Sequence, residues 1–213
     1  MHCYEGRNES NIFNKQVSLF KNVRTKEEFV SICKNFGSIL HQKDDFDNSG
    51  SVEISTRLNL DKLAYQNVEL FPHTDRSSTD NPPDFVAMWF EKTAKKGGET
   101  TLFFPDDHLL KDIDNLNFCA KFSSENDSNN KYLPFYDHSR DFFRFRNDDH
   151  ISVKKEDEEK FNEVTNIIRE NTVKVKTQCG DCLILSNKSV FHGRSSFIGD
   201  RVIHRVLIRN YDE

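Results

Sequence analysis

Two histidines and one aspartate are the residues of this 213-residue chain whose types and spacing could support metal chemistry. His73 and Asp75 are two positions apart, so on an extended segment both side chains point to the same side. His192 lies far along the chain, at the end of the apolar stretch that begins at Val190. Two imidazoles and one carboxylate on one face form a facial triad, which binds iron and leaves coordination positions open. Such a centre can accept a chelating co-substrate together with dioxygen.

A histidine and an aspartate at this spacing occur often by chance, so the triad needs support from other residues. Arg205 follows His192 by 13 residues, across a predicted turn at residues 198–200. On an antiparallel hairpin it would return to the neighbourhood of His192. A buried guanidinium there could bind a carboxylate through two hydrogen bonds, as a dicarboxylic co-substrate requires. The alternative interpretation is that Arg205 forms a structural ion pair.

The elements that must position these residues are mainly short strands. The apolar runs predict strands at residues 17–23, 85–92, 100–104, 173–177, 182–185, 189–192 and 202–209. Residues 95–98 contain two glycines, which favours a hairpin turn between the second and third of these strands. Helices are predicted after the capping residue Thr25, at 106–113 and at 156–169. Gly37 is expected to end the first helix in a left-handed turn.

Many short strands with few helices predict a mainly β fold with flanking helices, in a double-sheet jelly-roll arrangement. The run 85–90 is apolar on both faces, so we expect it between a partner sheet and a covering helix. The 19 Phe residues indicate an aromatic-rich core. No repeat or linker divides the chain, which predicts a single domain over 1–213 with a loose segment at 1–14.

Residues 120–150 form a candidate lid region. The segment 123–131 is polar, and aromatic residues follow it. A lid would exclude water from an oxidising metal centre. The alternative for the aromatic residues is core packing, and that interpretation is the stronger one.

Composition excludes several function classes. Charges of both signs are interspersed and the net charge is −5, which argues against nucleic-acid binding. No apolar run is long enough to span a bilayer, and the N-terminus lacks the pattern of a secretory signal. Five cysteines without a disulfide framework predict reduced thiols and a cytoplasmic location. Cys179 and Cys182 form a Cys-x-x-Cys motif, but without a second pair it favours a structural turn over a zinc site.

An ordered set of motifs resembles the taurine dioxygenase and clavaminate synthase-like family, over residues 70 to 209. The motifs are Phe71 to Ser77 (FPHTDRS), Asn81-Pro82-Pro83, Gly97-Gly98-Glu99-Thr100, Gly180-Asp181, His192-Gly193-Arg194 and Arg205. The resemblance implies a double-stranded β-helix core and the use of iron(II), 2-oxoglutarate and dioxygen. It makes His73, Asp75 and His192 the catalytic iron ligands.

The resemblance also implies roles for residues around the metal. Thr100, 27 residues after His73, matches a hydroxyl that contacts a carboxylate of 2-oxoglutarate. Arg205 matches the arginine that binds the distal carboxylate of that co-substrate, and Arg209 falls where relatives contact substrate. Arg76 could bind an anionic group of the substrate, or it could pair with Asp80 or Asp84 outside the pocket.

The implied activity is hydroxylation of an unactivated C–H bond in a small metabolite. The resemblance favours an amino acid, either free or tethered to a carrier protein, with desaturation or ring closure as related outcomes. Residues 104–173 match no substrate-binding pattern. Two other functions remain open from the residues alone: a metal-dependent hydrolase or isomerase on a cupin-like barrel, and a non-catalytic jelly-roll binding module.

Overall fold

A computed structural model describes residues 16–58, 60, 62–120 and 132–211 of the protein. The strands are β1 (Val17–Phe20), β2 (Ser38–Leu40), β3 (Val52–Ser55), β4 (Leu70–His73), β5 (Phe85–Lys92), β6 (Lys96–Gly97), β7 (Thr100–Phe103), β8 (Asn117–Ala120), β9 (Tyr132–Pro134), β10 (Tyr136–Asp137), β11 (Phe142–Phe143), β12 (Ile151–Val153), β13 (Val173–Val175), β14 (Cys182–Ser186), β15 (Phe191–Arg194), β16 (Phe197–Ile198) and β17 (Val202–Arg209). The α-helices are α1 (Lys26–Cys33), α2 (Asp107–Ile113) and α3 (Glu158–Asn171). Short 3₁₀ segments occupy Thr56–Leu58, Leu63–Tyr65 and Lys155–Asp157.

Two antiparallel sheets carry the residues of interest, and the predicted mainly β character with flanking helices is confirmed. The larger sheet has six strands in the order β1-β14-β5-β17-β2, with β3 also paired to β17. The smaller sheet has four strands in the order β13-β7-β15-β4. Successive strands along the chain repeatedly fall in different sheets. The loops between them must therefore cross from one sheet to the other.

The central strand β5 is buried on both faces, as its sequence predicts. Val86, Met88 and Phe90 join the apolar cluster that also contains Leu102 of the smaller sheet. Trp89, on the opposite face, belongs to a cluster with helix α1. The indole Nε1 of Trp89 donates to the carbonyl of Val23 at 3.0 Å, so its polar group is satisfied. Side chains on one face of β5 therefore pack against the smaller sheet, and those on the other face pack against helix α1.

The predicted hairpin at residues 95–98 is wrong. Strand β5 belongs to the larger sheet and β7 to the smaller one, so the two are not hairpin partners. Strand β6 instead pairs with β16. Gly97 and Gly98 both have positive φ, +73° and +75°, which allows the sharp crossing between sheets. The glycine pair therefore marks a turn correctly, but the turn changes sheets instead of returning along one.

The turn at residues 198–200 is a second crossing of this kind. Strand β15 lies in the smaller sheet and β17 in the larger one, so the predicted hairpin between them is also wrong. Arg205 consequently approaches the triad across the space between the sheets, not along a neighbouring strand.

Helix α1 begins as predicted. The hydroxyl of Thr25 accepts from the backbone N–H of Glu28 at 3.1 Å, which satisfies one of the exposed amides of the first turn. The helix ends at Cys33, and Gly37 follows a further turn with φ +152°. A Cβ at Gly37 would lie 1.9 Å from the carbonyl oxygen of Arg209. Close approach to strand β17, and not a left-handed helix cap, is what requires glycine there.

An aromatic core lies beneath helices α2 and α3. Phe135, Phe145 and Phe161 are buried in it together with Phe191. The rings of Phe145 and Phe191 are stacked, with centroids 5.0 Å apart and planes 8° from parallel. Core packing is therefore the role of these aromatic residues in the candidate lid region. Residues 121–131, which include the polar segment predicted as a lid, lie outside the described residues.

Two further expectations from the sequence concern membrane-spanning segments and the oxidation state of the cysteines. In the described part of the chain, no helix combines the length and apolar character needed to cross a membrane. Cys33, Cys179 and Cys182 are free thiols.

Candidate metal centre and its cavity

The three residues of the predicted triad come together at the end of the smaller sheet. His73 on β4 and His192 on β15 are direct partners across the strand pair, and their ring centroids are 4.7 Å apart. Asp75 follows the end of β4 in a turn, with Oδ1 3.7 Å from Nε2 of His73. One donor atom from each residue lies within 4.8 Å of the other two. This spacing suits a common metal ion, and their role as its ligands stays a prediction.

Hydrogen bonding fixes which nitrogen of His73 is available. Nδ1 of His73 lies 2.9 Å from the carbonyl oxygen of Phe71. A carbonyl can only accept, so Nδ1 carries a proton, and in the neutral imidazole Nε2 then keeps its lone pair. Nε2 is the nitrogen that faces Asp75. The hydrogen bond from Nδ1 to the Phe71 carbonyl holds the imidazole in the tautomer and orientation that a metal ligand needs.

His192 is buried beside His73. Burial, and to a smaller extent the His73 ring, lowers the pKa of His192 to about 3. The imidazole is therefore neutral near pH 7, with a lone pair to donate. Its Nδ1 is buried and has no hydrogen-bond partner among the described residues.

Asp75 is a buried carboxylate with one oxygen paired and the other free. Burial alone would raise the pKa of Asp75, but the guanidinium of Arg205 and the two imidazoles lower it well below its usual value. Nη1 of Arg205 lies 3.2 Å from Oδ1. Oδ2 is buried with no hydrogen-bond partner among the residues that the structure describes. An ionised carboxylate with one unpaired oxygen, clustered with two imidazoles, is the arrangement that a cation would complete.

Asn187 holds the backbone of Asp75 in place. Its Oδ1 accepts from the N–H of Asp75 at 2.7 Å, and its Nδ2 donates to the carbonyls of Asp75 at 3.0 Å and Pro83 at 2.9 Å. The side chain is fully buried. Sequence reasoning missed this residue, because nothing in its type or spacing links it to a turn more than a hundred residues earlier.

Close backbone contact explains Gly193, the residue after His192. A Cβ at this position would lie 2.3 Å from the carbonyl oxygen of Leu70 and 2.9 Å from the nitrogen of Pro72. The pairing of β15 with β4 shifts register between His192 and Arg194. Glycine therefore lets β15 approach β4 closely enough to bring the two histidines together.

A cavity of about 340 Å³ opens beside the triad and is rich in positive charge. Its charged lining, apart from the histidines, consists of Lys62, Arg76, Arg146, Arg194, Arg201, Arg205, Asp75 and Asp148. A second cavity, of about 200 Å³, shares His73 and Asp148 with the first. The volume of the larger cavity suits a small molecule next to the metal position.

Thr100 and Arg205, the predicted 2-oxoglutarate ligands, occupy different parts of the site. Arg205 lines the cavity and contacts Asp75. Thr100 is buried on β7, opposite Arg194, and its Oγ1 has no partner among the described residues. Leu102, two positions on, packs between the sheets, so Thr100 faces the same inter-sheet space. Thr100 is not among the residues that line the cavity.

Arg201 is a cavity residue that sequence reasoning missed. Its guanidinium lies 5.6 Å from the ring centre of Phe90 and 5.9 Å from that of Phe197, and the residue is buried. Burial, reinforced by Arg194, lowers its pKa to about 9, which leaves it charged near neutral pH. It has no hydrogen bond or carboxylate partner within the described part of the chain. Position alone could have suggested it, since it lies four residues before Arg205.

Arg194 differs from Arg201 because both terminal nitrogens of its guanidinium are hydrogen-bonded, although its Nε has no partner among the described residues. It donates to the backbone carbonyls of Ala64 at 3.1 Å, Gln66 at 2.7 Å and Val68 at 2.7 Å. These contacts anchor the segment that precedes β4. Arg194 is therefore a structural residue of the cavity wall.

The two predicted substrate-binding arginines are placed differently. Arg209 contacts Asn81 and lies 3.8 Å from a carboxylate oxygen of Asp84, and it is not among the residues that line the cavity. Arg76 does line the cavity, and it forms no ion pair or hydrogen bond through its side chain with the described residues. The pairing with Asp80 or Asp84 that its sequence also allowed is not formed.

Comparison with known proteins settles the family. The profile of the taurine catabolism dioxygenase TauD, TfdA family matches residues 11–103 and 126–207. The chain belongs to this family. The resemblance drawn from the motifs is thereby confirmed, and the family's dioxygenase chemistry agrees with the expected iron, 2-oxoglutarate and dioxygen. No curated protein sequence matches the chain.

Solved structures share the fold at low sequence identity. The non-heme iron oxygenase OrfP in complex with Fe and alpha-ketoglutaric acid superimposes with a TM-score of 0.69 at 19% identity, over 84% of this chain and 62% of OrfP. PvcB from Pseudomonas aeruginosa gives 0.65 at 17% identity, over 91% and 75%. An asparagine oxygenase in complex with Fe(II), 2S,3S-3-hydroxyasparagine and succinate gives 0.54 at 15% identity, over 68% and 51%. The chain thus spans less than two thirds of the length of OrfP.

Proposed function

We propose that this protein is an iron(II)- and 2-oxoglutarate-dependent dioxygenase that hydroxylates an unactivated C–H bond of a small, amino-acid-like substrate. The convergence of His73, Asp75 and His192 beside a cavity of suitable size carries the proposal. Membership of the TauD, TfdA family supports the reaction class. OrfP with (3S)-hydroxy-L-Arg and asparagine oxygenase with hydroxyasparagine support an amino acid as the substrate class.

The residues present fit a ferrous ion. Nε2 of His73 is left with a free lone pair, His192 is neutral, and Asp75 offers a buried oxygen that lacks a donor. Two imidazoles and one carboxylate are the donor set of non-haem iron oxygenases. When bound, iron and 2-oxoglutarate supply the oxidation of the substrate by dioxygen, with succinate and carbon dioxide as co-products.

The chain itself supplies orientation and a restricted space. Arg205 holds one oxygen of Asp75, and Phe71 holds the ring of His73, so two of the three proposed ligands are fixed before a metal arrives. The apolar side chains of Met88 and Ile203 line the cavity beside the charged groups. They restrict water near the reacting carbon, which protects an oxidising centre from unproductive reactions.

Two arginines are candidates for the distal carboxylate of 2-oxoglutarate. The motif order favours Arg205, whereas contacts favour Arg201, because Arg205 is already bound to Asp75 and to Gln42. The Cδ atom of Arg201 is 3.5 Å from the position of a Cβ on Gly98, two residues before Thr100. A carboxylate between Thr100 and Arg201 would give both unpartnered groups a hydrogen bond. We therefore assign the distal carboxylate to Arg201 and Thr100.

Paired variants test this assignment. Arg201→Gln should raise the KM for 2-oxoglutarate by about tenfold or more, since a charge-assisted hydrogen bond to a carboxylate is lost. Arg205→Gln should have the smaller effect on this KM. If Arg205→Gln raises the KM for 2-oxoglutarate more than Arg201→Gln does, Arg205 is the residue that binds the distal carboxylate.

The fold and domain organisation are part of the same proposal. The two sheets, with strands that alternate between them along the chain, are taken as a double-stranded β-helix, or jelly roll. We take residues 1–213 as a single domain. Limited proteolysis that releases a stably folded fragment with only one of the two sheets would contradict this.

The decisive assay is succinate formation by the full chain with iron(II), 2-oxoglutarate and oxygen. A panel of free amino acids, with and without attachment to a carrier protein, identifies the substrate by its stimulation of succinate release. A hydrolase or isomerase would release no succinate, and a binding module would turn nothing over. His73→Ala should abolish turnover while the fold is retained, as judged by circular dichroism; full activity in this variant would refute the proposal.

A further inference from the structure

Positive charge at the rim of the cavity exceeds the negative charge available to neutralise it. Of the cationic groups there, Arg146 is paired with Asp148 through two contacts of 3.1 Å. Arg205 is shared between Asp75 and the side-chain oxygen of Gln42. Lys62 and Arg76 remain on the rim. Arg76 has no carboxylate partner among the described residues, so a neutral or cationic substrate would leave its charge uncompensated.

Arg76 is placed at the rim by a strained backbone. It follows the proposed ligand Asp75 and has φ +56°, a region that long side chains rarely adopt. The clamp of Asn187 on Asp75 fixes the start of this turn, and the N–H and hydroxyl of Thr79 bind the carbonyl of Arg76 at 3.0 and 2.9 Å. Strain held by surrounding contacts is typical of functional positions. Here its result is an exposed guanidinium on the cavity wall, with no carboxylate bound to it among the described residues.

Asp44, which does not line the cavity, pairs with one of these cations. Oδ2 of Asp44 lies 2.8 Å from Nζ of Lys62. Gln42, two residues earlier, accepts from Arg205 at 2.9 Å, so the segment that carries Asp44 is fastened to the same rim. The hydrogen bond from Lys62, and then the charges of Arg205 and Arg76, lower the pKa of Asp44. Asp44 is therefore ionised and lies within the field of all three cations.

The exposure of Asp44 and Lys62 allows another anion to replace Asp44 as the partner of Lys62. Both side chains are substantially exposed, 37% for Asp44 and 57% for Lys62. Exposed ion pairs contribute little to stability, because water already solvates both charges. An incoming anion could therefore take over Lys62 and Arg76 without a large loss elsewhere.

We propose that Asp44 is an internal counter-ion at the rim, and that it is displaced when an anionic group of the substrate binds to Arg76 and Lys62. The inference rests on the proposed function and adds to it the charge of the substrate. For an amino-acid-like substrate the anionic group is a carboxylate. Arg76 is then the residue that selects for it, and Asp44 weakens its binding by competing for the same cations.

Amino acids and their C-terminal amides test the charge requirement. Arginine, leucine and asparagine are compared with argininamide, leucinamide and asparaginamide in the substrate-stimulated succinate assay, on the iron(II)-loaded full chain. We expect stimulation by at least one carboxylate, with a KM for its amide that is about tenfold or more higher. Equal stimulation by the amide, or no response to any of the carboxylates while 2-oxoglutarate is still turned over, overturns the proposal.

Two variants should then shift the KM for that carboxylate in opposite directions. Arg76→Gln should raise it by about tenfold or more, because a charge-assisted contact is lost. Asp44→Asn should lower it by about two- to fivefold, the scale of an exposed ion pair. Asp47→Asn is the matched control, since Asp47 lies in the same loop but pairs with Lys26. Its KM should equal that of the unmodified protein.

The readouts separate this inference from the proposed function. If the chain forms no succinate and binds no iron, the proposed function fails. If it turns over 2-oxoglutarate normally, but Asp44→Asn raises or does not change the KM for the carboxylate, the counter-ion role alone is refuted. An unchanged KM in Arg76→Gln would equally refute selection by Arg76.

Discussion

Nη1 of Arg205 lies 3.2 Å from Oδ1 of Asp75, while Oδ2 of the same carboxylate has no hydrogen-bond partner in the described part of the chain. The two oxygens of one side chain are therefore in different situations. One is held by a guanidinium from the larger sheet, and the other remains for a ligand at the end of the smaller sheet. Arg205 thus joins the two sheets at the point where a metal would bind.

Loss of this contact should weaken metal binding without preventing it. In Arg205→Gln the carboxylate of Asp75 loses its cationic partner and its fixed orientation, so iron(II) affinity should fall by about tenfold or more. Anaerobic isothermal titration with iron(II) measures the effect. Arg57→Gln is the control, because Arg57 pairs with exposed Asp200. Equal affinity in the two variants would show that Arg205 does not position Asp75.

The clamp at Asn187 should matter for both stability and metal binding. Asn187→Ala leaves the N–H of Asp75 and two carbonyls unpaired in a buried site, at a cost of about 2–4 kcal/mol in the free energy of unfolding. Chemical denaturation measures this cost. Asn171→Ala removes an exposed contact to the carbonyl of Ile167 and should cost well under half as much. If the two variants have the same free energy of unfolding, the hydrogen bonds of Asn187 do not contribute the expected stability.

A methyl group at Gly193 should disturb the pairing of the histidines. The added Cβ would meet the backbone of Leu70 and Pro72 well inside contact distance, so β15 must move away from β4. We expect Gly193→Ala to destabilise the protein by about 1–3 kcal/mol and to weaken iron binding. Gly180→Asn is a matched comparison, because its nearest contact is 3.4 Å and asparagine tolerates positive φ. Retained iron affinity in Gly193→Ala would contradict the importance of this approach.

The cysteines should differ sharply in reactivity. Burial raises the pKa of Cys33 and Cys182, whereas Cys179 is exposed. Iodoacetamide at pH 8 should therefore modify Cys179 before Cys33 and Cys182, which stay unmodified until the protein unfolds. Peptide mass mapping before and after denaturation measures this. Modification of Cys182 in the folded protein would contradict its burial and would favour a redox or metal role for the Cys-x-x-Cys motif.

The sequence predicted the local features of this site well. The triad could be found because His73 and Asp75 are close in sequence and His192 ends an apolar strand. Helix α1 could be predicted because Thr25 and Glu28 form a local capping pattern. In each case the physical cause lies within a few neighbouring residues.

Long-range relationships could not be predicted in the same way. A glycine pair shows where the chain turns but not whether it returns to the same sheet, so both hairpin predictions failed. Asn187 acts through contacts to Asp75 and Pro83, more than a hundred residues earlier in the sequence. Arg209 lies on the same strand as Arg205, yet Asp84 and Asn81 hold its side chain away from the cavity lining.

Anaerobic addition of iron(II) and 2-oxoglutarate to the purified full chain tests the central claim most directly. We predict a weak visible charge-transfer band that requires both components and saturates at one iron per chain. The band should be absent in His73→Ala, Asp75→Ala and His192→Ala variants that remain folded. A folded protein that gives no band, or a band that survives in these variants, would contradict the assignment of the three residues to one ferrous ion.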